Sequence, residues 1–424
     1  MSCKGITGLD NIGNTCYFNS IIQCLSNIKE FKDFIIDNKI LKFIINKETD
    51  KDTSILYQLN KLLKELWKHD DDISLRPTSL KKLIGDKNDM FDNYSQHDSQ
   101  EFLLCILSLI DDEINLNVKI NSNILSDTLI DKIINYSEDE LFIYIQEDYI
   151  RIKELAFIYM KKSYEKNYSI ITKYFGGMLL FETKCPITDK ISYSFELSNM
   201  ISLPIKIEDE EISEDGDSSE DKNIVDCDYF NRMSNFDSSD SDSEEYDILN
   251  TYLSPEPELV GSMMINKIIK KYDKPPIELV DCLKEFFSKE YLDEDNEWFS
   301  PFCKKDVHPI KQIKIWSLPK LLIIHLKRFY YNGNIKKINK KINFPLYDLD
   351  MTSYVDERNI NDKKYFYDLI AINLHTGTPN FGHYYSYCKN GDKWYKYNDD
   401  TVNEIDESDL KSNDSYILFY KLKE

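Results

Sequence analysis

The chain has 424 residues, of which 42% are apolar, and its formal net charge is −22. It is long enough for two or three domains or one large multilobed domain, and its acidity argues against nucleic acid as a partner. No stretch approaches the roughly 18 consecutive apolar residues that cross a bilayer, and the first residues lack the apolar core of a secretory signal. We therefore expect no membrane partner. The nine cysteines are irregularly spaced, which favours reduced thiols in the cytoplasm or nucleus.

The first informative segment, residues 8–25, reads GLDNIGNTCYFNSIIQCL. Residues 13–15 are typical of a turn, and residues 17–25 predict a helix with one apolar face. Cys16 would lie at the helix N-terminus, where the helix dipole lowers the pKa of a thiol. A single cysteine is more often a small buried apolar residue. A core helix, however, does not require the polar and glycine residues around this one, so Cys16 is a candidate nucleophile.

The sequence pattern from Cys16 to about residue 170 predicts mainly helices. Residues 100–110 are apolar at a helical period, and Asp98 stands where an N-cap is expected. A second charged helix is predicted over 150–162.

A strand-rich zone follows, with half-buried antiparallel strands predicted at 175–179, 192–196 and 201–205. Residues 208–258 then hold 19 acidic and two basic residues, a net charge of −17 (2 − 19). Such a segment cannot bury enough apolar surface to order itself, so we expect disorder. We favour a dispensable solubilising loop. The alternative is a set of sites for acid-directed kinases at Ser238, Ser239, Ser241 and Ser243.

The ordered pattern resumes with a helix over 275–286 and a central strand over 317–329, in which His325 is expected to be a packing residue. Further strands are predicted at 343–345, 367–372 and 416–420.

Residues 382–402 read GHYYSYCKNGDKWYKYNDDTV and contain His383, Asn398 and Asp399. Cys, His and then Asn or Asp is the chain order of papain-like cysteine proteases. An imidazole beside a thiol can hold an ion pair and then protonate the leaving amine. A third group, here Asn398 or Asp399, fixes its tautomer and orientation.

Both segments resemble motifs of the ubiquitin-specific proteases. Residues 8–23 resemble their Cys box, GLxNxGNTCYxNSxLQ, and residues 382–402 resemble their His box, GHYxxY followed by WYxF(N/D)DxxV. Residues 94–103 are similar to the QQDAxEFL block, with His97 in place of Gln, and residues 318–329 are similar to LPxxLxxxLKRF. The resemblance covers about residues 5–422.

The resemblance implies one catalytic domain of papain-like α+β fold, with a helical thumb at about 5–172, antiparallel β fingers at 173–207 and 259–316, and a palm at 317–424. Residues 208–258 would be an insert.

The implied activity is deubiquitination: thiol-dependent hydrolysis of the bond after the C-terminal glycine of ubiquitin. Cys16 would attack the carbonyl, with His383 as base and acid, Asn398 as its orienting group and Asp399 as a second polar helper. Asn11 would donate to the oxyanion, or it is only a turn residue. The alternatives are a protease for a ubiquitin-like modifier and a catalytically silent ubiquitin-binding scaffold.

The QQDAxEFL-like block implies a second site, for substrate. In the family this block lies beside the channel for the ubiquitin tail, so Gln96 and Asp98 are candidate substrate contacts. Asp98 would face the arginines of the tail, act as the helix N-cap, or do both.

The resemblance breaks at the zinc site that many members hold with two CxxC pairs. The corresponding residues are Cys185 with Thr188 and Cys303 with Asp306, so each pair has lost one cysteine. Two thiolates do not make a closed tetrahedral site, and His308 is at an unusual spacing for a substitute ligand. We therefore expect no bound metal and no cofactor.

Overall fold

A computed structural model describes residues 4–37, 51–68, 73–120, 125–136, 150–206, 276–359, 363–379 and 381–423, with 141 and 144 as single positions. The acidic segment at 208–258, with the predicted disorder and the four serines, lies outside these ranges. Within them, no helix is both long and apolar enough to cross a membrane.

Helices dominate the first half of the described chain, as predicted. In the described ranges they are α1 Cys16–Asn27, α2 Lys29–Ile36, α3 Ile55–Leu66, α4 Thr78–Lys87, α5 Ser99–Ile114, α6 Asp127–Ile134, α7 Ile150–Lys166, α8 Ile170–Phe175 and α9 Leu279–Phe286.

Strands occupy most of the second half. They are β1 Gly8–Leu9, β2 Ser74–Leu75, β3 Gly177–Lys184, β4 Ile191–Ser198, β5 Ile201–Pro204, β6 Ile277–Glu278, β7 Lys289–Tyr291, β8 Trp298–Ser300, β9 Lys305–Val307, β10 Ile310–Ser317, β11 Leu321–Lys327, β12 Phe329–Asn332, β13 Asn334–Lys337, β14 Ile342–Asn343, β15 Leu349–Asp350, β16 Phe366–Gly377, β17 Gly382–Asn390, β18 Lys393–Asn398, β19 Thr401–Ile405 and β20 Ser415–Leu422.

Eight strands form the large sheet, in the order β19-β18-β17-β16-β20-β11-β5, with β15 paired to β16. Alternate residues of its central strand β11 enter two different cores. Leu321 and Ile323 pack with the helices of the first half, whereas Leu322 and Ile324 pack with α9 on the opposite face. Both faces are covered, and the four residues from Leu321 to Ile324 are therefore all apolar, which explains the apolar run in the sequence.

Four antiparallel strands form the small sheet, in the order β4-β3-β10-β7. The expectation that residues 201–205 pair antiparallel within the same zone is wrong. Strand β5 runs parallel to β11 in the large sheet, with Ile201 opposite Ile324. Its residues Ile201 and Leu203 are buried there, so burial against the large sheet outweighs proximity in sequence.

Several element boundaries also differ from the predictions. The strand predicted over 317–329 is confined to Leu321–Lys327, and the strand predicted at 343–345 ends at Asn343. Phe175 ends helix α8, and the strand begins only at Gly177. The helix expected from residue 275 begins at Leu279, because Ile277 pairs with Ile342 in a short parallel ladder.

Candidate active site

Cys16 is the first residue of α1, as the sequence predicts. The turn before it is built on Asn11, whose side-chain oxygen accepts hydrogen bonds from the backbone N–H groups of Gly13 (3.1 Å) and Thr15 (3.0 Å). Gly13 and Asn14 have φ values of 119° and 47°, in the left-handed region that such tight turns use. Asn11 is thus a turn residue. The turn fixes where the helix begins and where the thiol lies.

His383 lies at the start of β17 and joins Cys16 to Asn398. Its Nε2 is 2.6 Å from Oδ1 of Asn398, and its side chain is hydrogen-bonded to Cys16. An amide oxygen can only accept, so Nε2 carries the hydrogen and Nδ1 is the nitrogen that exchanges a proton with the thiol. The hydrogen bond to Cys16 raises the pKa of His383 to about 9, with Asn398 contributing and burial opposing. A protonated imidazole beside Cys16 is therefore favoured at neutral pH.

Asp399 is not the direct partner of His383. Its Oδ2 lies 3.9 Å from Nε2 of the imidazole, and the same oxygen accepts from Nδ2 of Asn11 at 3.0 Å. Its Oδ1 accepts from Nδ2 of Asn19 at 2.7 Å. Asp399 consequently holds the Cys16 turn and helix α1 against the end of β18. The bond from Asn11 to Asp399 uses one N–H of the Asn11 side-chain amide, so the second N–H can donate to another acceptor.

Asn19 belongs to the site as a structural residue whose role the sequence pattern did not predict. Its Nδ2 also lies 3.2 Å from the backbone oxygens of Leu9 and Asp10. Asn19 is 2% exposed, between the apolar residues Phe18 and Ile22 of the helix. The available signal in the sequence was an asparagine next to the apolar face of the longest motif, because polar groups in such a position are generally hydrogen-bonded.

Gln96 and Asp98 approach the site differently. The Gln96 side chain is exposed, and its Oε1 accepts from the N–H of Gly382 at 3.3 Å, one residue before His383. Asp98 is the N-cap of α5: its Oδ1 accepts from the N–H of Gln100 at 2.6 Å, and its Oδ2 accepts from the Tyr416 hydroxyl at 2.5 Å. Burial raises the pKa of Asp98, although these donors oppose the shift. The N-cap alternative is therefore observed.

The two cysteines of the degenerate zinc site lie together, far from Cys16 in sequence. Their Sγ atoms are 3.8 Å apart. His308 directs Nδ1 to the backbone oxygen of Asp293 at 3.0 Å. Within the described ranges, no group of three or more His, Cys, Asp or Glu side chains is arranged to hold a metal ion. Two sulfur ligands alone do not fit a tetrahedral structural zinc.

Comparisons with known proteins address the family and the fold. The sequence model of the ubiquitin carboxyl-terminal hydrolase family matches residues 7–420. The chain is 26% identical to bovine ubiquitin carboxyl-terminal hydrolase 2 over 99% of its own length and 56% of that protein, so it spans about half the length of this relative. It is 27% identical to a probable ubiquitin carboxyl-terminal hydrolase of Acanthamoeba polyphaga mimivirus, over 98% of the chain and 90% of the relative.

The fold is similar to that of Ubp8 in the SAGA DUB module bound to monoubiquitin. The TM-score is 0.63 at 22% identity, covering 100% of this chain and 71% of that one. The α+β fold expected from the sequence is confirmed. With the family model matched over almost the whole length, the chain belongs to the ubiquitin carboxyl-terminal hydrolase family.

Proposed function

We propose that the protein is a thiol-dependent deubiquitinase that hydrolyses the isopeptide or peptide bond after the C-terminal glycine of ubiquitin. The observation that carries the proposal is the contact of His383 with both Cys16 and Asn398, in a chain of this family. It supplies a nucleophile, a base and an orienting group in the arrangement that acyl transfer requires.

The proposed reaction begins with the Cys16 thiolate attacking the glycine carbonyl. The imidazolium of His383 then protonates the departing amine. In the second stage His383 accepts a proton from water, which attacks the thioester and releases ubiquitin. Asn398 keeps the proton on Nε2 throughout, and the second N–H of Asn11 donates to the oxyanion, a contribution of roughly 2.7–4 kcal/mol in a comparable protease. Asp399 holds Asn11 in place for that role.

We also propose that ubiquitin and its conjugates are the partners, without nucleic acid, membrane, metal or cofactor. Monoubiquitin and ubiquitin aldehyde are bound in the solved neighbours, which supports this choice. Gln96 and Asp98 remain candidate contacts of the ubiquitin tail; any contact by Asp98 would add to the two internal bonds that it already makes. The seven described cysteines are all free, which suits the reducing conditions of the cytoplasm or nucleus.

The division into thumb, fingers and palm stays part of the proposal, with one amendment. Strand β5 falls in the fingers by its position in sequence, but it pairs with the large sheet that would form the palm.

The test uses ubiquitin and ubiquitin-like probes that carry a C-terminal electrophile. We expect the ubiquitin probe to label wild-type protein on Cys16. Cys16→Ala should abolish labelling and hydrolysis, and Cys105→Ala should retain both, because Cys105 is a partly exposed thiol elsewhere in the helical region. Labelling by a ubiquitin-like probe but not by the ubiquitin probe would show that the substrate is that modifier and not ubiquitin. Ubiquitin binding without labelling would favour the scaffold, and hydrolysis by Cys16→Ala would refute the mechanism.

A further inference from the structure

Cys185 and Cys303 lie in the turns of two separate hairpins. Cys185 follows β3 in the turn that leads to β4, and its N–H donates to the backbone oxygen of Lys190 at 2.9 Å. Cys303 lies in the turn between β8 and β9, which is closed by the N–H of Lys304 donating to the oxygen of Ser300 at 2.8 Å. Although 118 residues separate the cysteines, their sulfur atoms are 3.8 Å apart. A bond between them would join the tips of the two hairpins.

The surroundings of the two sulfurs make them chemically unequal. Cys185 is 0% exposed, whereas Cys303 is partly exposed. Burial would raise the pKa of Cys185, but hydrogen bonds from Ser300, Thr188 and Ile187 lower it to about 7. The outer sulfur, Cys303, is the one that a solution reagent can reach, and the inner sulfur lies 3.8 Å from it, close enough to attack it in a second step.

We propose that Cys185 and Cys303 are a reversible redox pair that forms an intrachain disulfide when a disulfide oxidant of the glutathione type is present. This pair takes the place of the zinc site that the residues cannot complete. The exposed side chains of Lys304 and Lys305 beside Cys303 suit the approach of anionic glutathione disulfide. The proposal is independent of the activity at Cys16.

The exchange proceeds in two balanced steps. The Cys303 thiolate attacks one sulfur of glutathione disulfide, which forms a mixed disulfide and releases one glutathione thiolate. The Cys185 thiolate then attacks Sγ of Cys303, so that the Cys185–Cys303 bond forms, the bond to glutathione breaks and a second glutathione thiolate leaves. Two protein thiols are oxidised, one glutathione disulfide is reduced to two thiols, and the two cysteine protons pass to the glutathiones.

The chain contains an internal control for proximity. Cys24 and Cys388 are hydrogen-bonded neighbours, but both are 0% exposed and burial raises the pKa of Cys24 well above its ordinary value. If closeness alone were sufficient, this pair would oxidise as well. Our proposal requires that one thiol of the pair can be reached from solution, so Cys24 and Cys388 should stay reduced.

The test equilibrates the full-length Cys16→Ala protein with glutathione disulfide, quenches it in acid, alkylates the thiols and maps the peptides by mass spectrometry. We expect a Cys185–Cys303 linked peptide that dithiothreitol removes, while Cys24 and Cys388 are alkylated. The Cys185→Ser variant should stop at one glutathione attached to Cys303, and Cys303→Ser should leave Cys185 alkylatable. The oxidised protein should also unfold at a higher temperature, by roughly 3 °C or more, because the crosslink closes a long loop.

Three results would overturn the proposal. The first is full alkylation of Cys185 and Cys303 under conditions that oxidise glutathione-responsive thiols in a reference protein. The second is a glutathione adduct on Cys303 that persists in the presence of Cys185. The third is one equivalent of zinc in the purified protein, since both thiolates would then be ligands. Circular dichroism of the serine variants checks that they are folded, so a missing crosslink cannot be assigned to unfolding.

Discussion

The neutral side chain of Asn398 accepts the hydrogen bond of His383 Nε2 at 2.6 Å, while the carboxylate of the next residue, Asp399, lies 3.9 Å from the same nitrogen. An amide oxygen fixes the tautomer without neutralising the imidazolium, so His383 keeps its charge beside Cys16. The carboxylate of Asp399 instead binds two asparagines, Asn11 and Asn19, that set the position of the nucleophile. Asn398 therefore orients the His383 imidazole, whereas Asp399 positions the segment that carries Cys16.

Replacing Asn398 should change both the rate and its dependence on pH. Because Asn398 helps to raise the pKa of His383 to about 9, wild-type activity should fall on the alkaline side near that pH. In Asn398→Ala we expect kcat to fall roughly 10²-fold, within the range for a misplaced general acid and base, and the alkaline limb to move to lower pH. Hydrolysis of a ubiquitin C-terminal amide across pH 5–10 measures both.

The matched control is Asn403→Ala, an exposed asparagine on the neighbouring strand β19, which should leave the profile unchanged. An unmoved alkaline limb in Asn398→Ala would show that another group titrates there.

At the scale of elements, the site forms where four short pieces of chain meet: the start of α1, the start of β17, the end of β18 and the strand β1. The sequence predicted the start of α1 at Cys16, because neighbouring residues encode where a helix begins. It did not predict that Leu9 of β1 donates to the backbone oxygen of Asp399 at 2.8 Å. Nothing local to Leu9 encodes that contact, since its partner lies almost 400 residues away.

The packing of β1 against residues 399 and 400 should be most sensitive to a substitution at Gly8. A Cβ atom there would lie 2.2 Å from the backbone oxygen of Asp400, and a backbone atom cannot rotate out of the way. Gly8→Ala should therefore push β1 away from the turn that carries Asn398 and Asp399. We expect kcat to fall by about tenfold or more, with a loss of about 1–3 kcal/mol in the free energy of unfolding, as for other overpacked positions.

Activity assays and denaturant unfolding of Gly8→Ala test this together with Gly391→Ala. Gly391 has a φ of 64°, and no atom lies within 4 Å of the point that a Cβ would occupy, so alanine there strains the backbone without a clash. The control should lose stability but keep its kcat. Equal activity losses in both variants would argue against displacement of the catalytic turn.

At the scale of the whole molecule, α1 shows what the sequence could not convey. Its pattern indicated one apolar face, yet every residue from Cys16 to Ser26 is buried. The polar side is enclosed because other segments bind it: Gln23 donates to the backbone oxygen of Thr7 at 2.9 Å, and the hydroxyl of Ser20 accepts from Asn373 of β16 at 2.8 Å. Periodicity separates apolar from polar residues, but it cannot separate a polar residue in water from one bound inside a large fold.

In the small sheet, a buried network of charged side chains binds a separate segment of the chain to two strands. Arg358 contacts Glu182 of β3 and binds Asp356 through Nε (2.5 Å) and a terminal nitrogen (2.7 Å). Lys314 of β10 lies 3.2 Å from Glu182 and 3.1 Å from Asp356. Burial would raise the pKa of Asp356, but Arg358 and Lys314 hold it below its ordinary value. Two cations thus balance two carboxylates, and the 355–359 segment is fastened to the sheet.

Arg358→Met removes one cation and leaves the two buried carboxylates with Lys314 alone. We expect a loss of about 3–5 kcal/mol in the free energy of unfolding at neutral pH, the range for breaking a buried ion pair on one side. Lys393→Met, which breaks a half-exposed pair with Glu404 on β19, should lose about 1 kcal/mol or less. Denaturant unfolding of both variants gives the comparison.

The dependence of this loss on pH identifies its cause. Because the pKa of Asp356 is lowered in the folded protein, its contribution to stability is present above the ordinary carboxyl pKa and disappears as the pH falls through the folded value. Arg358→Met forfeits that contribution, so the difference from wild type should be largest near pH 7 and should shrink at about pH 2.5, below the ordinary carboxyl pKa of about 3.9. A difference that is the same at both pH values would instead assign the role of Arg358 to its packing over the Tyr193 ring, whose centroid is 5.0 Å from the guanidinium carbon.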